Sequence, residues 1–79
     1  MSIAANEKEL AGKVARYLKI EMKRAGVTYA ELARRLETHG LQETEASITS
    51  KLARGTFAAT FMLVVLAALE VEKLQLKDL

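Results

Sequence analysis

Apolar residues recur every four positions over Leu10, Val14, Leu18 and Met22, with Tyr17 and Ala25 beside them. That is the spacing of one face of an α-helix. The opposite face carries Lys13, Arg16, Lys19, Lys23 and Arg24. Asn6 is a good N-cap, Glu9 three residues on can close a capping box, and Gly26 is a natural stop. The pattern predicts a first helix over about 7–25. A second, over about 29–38, opens on a Thr28-x-x-Glu31 box with Val27 and Leu32 at the staple positions. Leu32, Ala33 and Leu36 form its inner face, and Gly40 ends it. Thr44 caps a third helix over about 45–53, with Ile48 and Leu52 on one side and Gly55 after it. The fourth, about 58–69, has Phe57, Phe61, Met62, Leu63, Val64, Val65, Leu66 and Leu69 around nearly its whole circumference. Such a helix is buried on most sides. The tail 71–79 spaces Val71, Leu74, Leu76 and Leu79 as a short extended arm or a frayed last turn. No repeat, linker or low-complexity run divides the chain. The expectation is one domain, 1–79, all-α, a compact four- to five-helix bundle.

Composition narrows the chemistry. A chain of 79 residues has room for one core. The absence of Cys excludes disulfides and thiolate metal sites. The one His, His39, gives a multi-histidine metal site or a His-paired catalytic site little to build on. No nucleophile–base pair, paired carboxylates or phosphate-binding glycine loop is visible, so no enzyme, cofactor or metal is expected. The uncharged stretch 55–69 is 15 residues, and a membrane span needs about 20, so a core helix is expected there. No apolar signal region opens the chain, so a cytoplasmic protein is expected.

Charge is unevenly placed. The net charge is +2, but Lys8 to Arg54 hold ten basic and six acidic residues, and 55–69 hold none of either. An anionic partner therefore meets the first two-thirds of the chain.

Leu18-x-x-x-Met22-x-x-Ala25-Gly26-Val27-Thr28-x-x-Glu31-Leu32-Ala33 resembles the first half of the phage-repressor (Cro/cI-type) helix-turn-helix domain. Ile48-x-x-x-Leu52-x-Arg54-Gly55 resembles the end of that family's recognition helix, and Ala68-Leu69-Glu70-Val71 the close of its fourth helix. The run from Lys51 to Phe57 is also similar to a group of small bacterial proteins with this helix pattern. The resemblance implies a small regulator that binds double-stranded DNA, with helix 45–53 in the major groove. The implied surface comprises Thr28, Tyr29, Arg34 and Arg35 beside the phosphates. It continues with Thr44, Ser47, Thr49, Ser50, Lys51, Arg54 and Thr56 on and around the recognition helix. The chain departs from the family in a turn lengthened across 37–43, in Ala53 where many members carry Glu, and in Tyr29 where many carry Gln. Glu37, Glu43 and Glu45 repel phosphates if they face the duplex. These departures keep a second reading open: a protein-interaction module, antitoxin- or adaptor-like, with a protein partner and no DNA. Helix 58–69 is more apolar than a small bundle needs. A homodimer interface is therefore expected over Met62, Val65, Leu69, Leu74 and Leu76.

Overall fold

The computed structural model describes residues 2–79. Four α-helices follow one another, α1 (Glu7–Ala25), α2 (Tyr29–Thr38), α3 (Glu45–Arg54) and α4 (Ala59–Ala68), and a 3₁₀ turn closes the chain at Leu76–Asp78. Among the described residues there is no strand. α3 runs one residue beyond its expected end, and α4 is one residue shorter at each end than expected. The tail curls into the 3₁₀ turn instead of extending as an arm.

Side-chain caps set three of the four helix starts. Asn6 accepts from the Glu9 backbone N–H at 2.8 Å, and the Glu9 carboxylate accepts from Ala5 N–H at 3.1 Å, one residue before the expected partner. Thr44 and Ser47 exchange hydrogen bonds as a full capping box at the head of α3. Thr28 accepts from Glu31 N–H at 3.1 Å, but the box expected there is only half made, because the Glu31 carboxylate is held elsewhere. α4 starts at Ala58 with no side-chain cap at all.

Three helix ends share one device. The N–H of Val27 reaches Met22 O, that of Leu41 reaches Leu36 O, and that of Val71 reaches Leu66 O. Each is the six-to-one closure of a Schellman motif, and each folds an apolar side chain back onto the core. The residue before each stands in the left-handed region: Gly26 at φ 67°, Gly40 at φ 81° and, without a glycine, Glu70 at φ 60°. Leu41 thereby anchors the long 39–44 connection.

α3 packs against both α1 and α2, and α2 packs against α4. The core they enclose is Leu18 and Met22 from α1, Leu32 and Leu36 from α2, Ile48 and Leu52 from α3, and Phe61, Val65 and Leu66 from α4. Val27 and Leu69 close its edges. Phe57 tilts against Phe61, ring centroids 5.0 Å apart.

α4 corrects the expected dimer surface. Val65 is completely enclosed and Leu69 is 6% exposed, so neither is free to meet a partner. Phe61, Val65 and Leu69 succeed one another at four-residue spacing and share the inward face. Met62 and Leu74 are half-buried and Leu76 is exposed. The outward face belongs instead to Thr60, Leu63 and Ala67, with Leu63 at 64% the most exposed large apolar residue described.

Candidate nucleic-acid interface

Ile48 and Leu52 fix the rotation of α3 by pointing inward, which leaves Ala46, Thr49, Ser50, Ala53 and Arg54 exposed on its outer side. Thr49 Oγ1 donates to Glu45 O at 2.8 Å, and Arg54 donates to Ser50 Oγ at 2.9 Å. Among the described residues Arg54 forms no salt bridge. Thr56 is exposed in the turn that follows.

The other expected contacts already have partners within the fold. Thr44 and Ser47 cap α3. Thr28 caps α2, and Tyr29 packs half-buried against the core. Lys51 binds Glu43 Oε2 and lies 4.8 Å from the centre of the Phe61 ring, a cation–π distance. Glu43 also accepts from Ser47 Oγ at 2.6 Å, and its side chain is only 7% exposed. Burial pushes the Glu43 carboxyl up, but the hydrogen bonds from Lys51 and Ser47 and the Lys51 charge outweigh it and hold the group below the usual carboxylate range. Glu43 is therefore turned into the protein, where it neutralises Lys51. Residues 43, 47 and 51 are spaced by four, so continuing the α3 periodicity one turn before its start would have found this cluster.

Glu31 organises the second cluster. Its carboxylate accepts from Arg34 Nε at 2.9 Å and Nη2 at 2.6 Å, and from Arg35 Nε at 3.0 Å. Arg35 also donates to the Ala68 carbonyl at 3.0 Å, capping the last turn of α4 from another helix. The hydrogen bonds from Arg34 and then Arg35 lower the Glu31 pKa from 4.5 to about 2. The same contact raises Arg34. A group whose folded pKa is depressed contributes stability above its unfolded value and loses it as pH falls through the folded one. The Glu31 contribution is thus intact above about pH 4.5 and disappears toward about pH 2. Because the cluster is solvent-screened, the effect is small. Urea melts at about pH 5 and about pH 2.5 should show a smaller acid loss in Glu31→Gln than in the parent. Equal losses would refute the assignment.

Among the described residues no group of three or more His, Cys, Asp or Glu is placed to hold a metal ion. No single helix there is long and apolar enough to cross a membrane.

The architecture is that of a small all-helical domain whose third helix is held by two others and open on one side. The chain belongs to the family described as a domain of unknown function, DUF6471, which matches residues 3–74. No curated protein and no solved structure matches it.

Proposed function

We propose that the domain is a small sequence-specific DNA-binding protein, a cytoplasmic transcriptional regulator. In this reading α2 and α3 act as a helix-turn-helix, with α3 in the major groove and α2 braced across the backbone. The observation that supports it is the outer face of α3. Ala46, Ser50 and Ala53 let a helix come close to base edges, Ser50 and Thr49 offer hydroxyls, and Arg54 brings an uncompensated charge. Backbone N–H groups at the heads of α2 and α3 suit phosphate oxygens.

Fluorescence anisotropy on a pool of random duplexes at about 50 mM and about 200 mM salt tests it. Affinity that falls steeply with salt is the expected result. Arg54→Ala should lower the slope of log affinity on log salt by about one and leave the thermal melt unchanged. No binding at the lower salt would overturn the reading.

A protein-interaction module is the second reading. Internal compensation of Arg34, Arg35 and Lys51 favours it, since cations already bound to carboxylates contribute little to a polyanion site. Both readings accommodate a homodimer through the uncharged outer face of α4 around Leu63. Light scattering at high micromolar concentration should give twice the monomer mass, and a monomer mass would sink it.

A further inference from the structure

Among the described residues, five of the twelve cations pair with carboxylates: Lys13, Arg24, Arg34, Arg35 and Lys51. The unpaired ones include four on α1: Lys8, Arg16, Lys19 and Lys23. With Gly12 they step along the helix by four, four, three and four residues, so they share one face, and all five are exposed. The row is about 22 Å long at the α-helical rise. The other cations of α1, Lys13 and Arg24, lie off this row and are bonded to Glu9 and Glu21.

Gly12 is the second observation. Glycine inside a helix costs stability relative to alanine. Here φ is not positive, and a Cβ at Gly12 would meet nothing within 4 Å, so neither backbone conformation nor packing requires glycine. What Gly12 does provide is a notch in the middle of the basic row where an external backbone can approach the helix.

The row also joins the parts of the site already described. Beside Gly12 the C-cap of α3 is pressed against α1, since a Cβ on Gly55 would lie 2.0 Å from Ala11 O. At the C-terminal end of the row, Lys19 and Lys23 line a cleft with Thr28 and Tyr29 at the head of α2.

We infer that the basic row of α1, and not the arginines of α2, is the surface that holds the phosphate backbone of duplex DNA, with Gly12 admitting the strand closely. This rests on the DNA-binding reading and assigns its electrostatic contacts. An exposed row of like charges, none of them in a salt bridge, is complementary to a polyanion, and its length covers several phosphates of one strand.

The experiment compares three variants with the parent on the same random duplexes, with circular dichroism melts as the folding control. Lys19→Ala/Lys23→Ala and Lys13→Ala/Arg24→Ala remove the same charge from one helix. The first should lower the salt slope by about two and the second should leave it nearly unchanged. Gly12→Leu keeps every charge and improves helix propensity, so it should melt no lower than the parent while binding roughly tenfold more weakly. If the two double variants lose slope equally, or Gly12→Leu binds as the parent does, the assignment to this row is overturned while the DNA reading stands. If the parent itself binds no duplex at about 50 mM salt, both are overturned.

Discussion

Gly55→Ala should cost the domain roughly 2–5 kcal/mol, a large share of its total stability. Two penalties combine. Gly55 has φ 73°, a conformation that costs an L-residue about 1–2 kcal/mol. The added methyl would also lie 2.0 Å from the Ala11 carbonyl oxygen and 2.6 Å from its carbon. These are backbone atoms inside α1, so no side chain can swing aside, and the helices must separate. Overpacking of that kind costs about 1–3 kcal/mol. A chain of 79 residues, at about 0.05–0.15 kcal/mol per residue, has only about 4–12 kcal/mol in total. Gly26→Ala is the matched control: φ is 67°, but nothing lies within 4 Å. It should show the conformational cost alone, about 1–2 kcal/mol. Chemical denaturation of both variants separates the contact from the strain. Equal losses would mean that α3 does not press on α1 at this point.

Glu43→Gln should move two measurements in opposite directions. The Gln keeps the shape and can still accept from Ser47. It leaves the Lys51 ammonium, 29% exposed, with the Phe61 ring and no carboxylate. Loss of a charge-assisted hydrogen bond in a partly enclosed site costs about 1–3 kcal/mol. At the same time one positive charge on α3 is released, so affinity for duplex DNA should rise and its salt slope steepen by up to about one. Lower stability with tighter binding is a combination that simple loss of folding does not produce. A variant as stable as the parent would show that Glu43 does not compensate Lys51.

Most helix starts and stops were legible because they are local. Thr28, Thr44, Gly26 and Gly55 act on backbone groups within a few residues, and the inward faces of α1, α2 and α3 follow from four-residue spacing. The apolar α4 hid its own orientation: with no polar side to mark solvent, Val65 and Leu69 looked as available as Leu63. Its C-terminal turn was equally opaque, since Glu70 takes a left-handed conformation with no glycine to announce it. The charge state of the expected contact residues was not legible. Arg34, Arg35 and Lys51 are ordinary helix cations in one dimension. Their engagement depends on where Glu31 and Glu43 turn, and the bond from Arg35 to Ala68 spans 33 residues. The basic residues of α1 were visible from the start. Which of them stay free was not, because that is decided by where Glu9 and Glu21 turn, and they pair with Lys13 and Arg24.

The bond from Arg35 to Ala68 bears on how the domain comes apart. α4 has no side-chain cap at its head, no charged residue to favour its dipole, and β-branched Val64 and Val65 in its middle. Its last turn is held by a guanidinium that belongs to α2. A helix with so little of its own to start or finish it forms only against its neighbours. Its amides should therefore exchange with solvent in step with those of α2, as one cooperative unit, and not fray ahead of them.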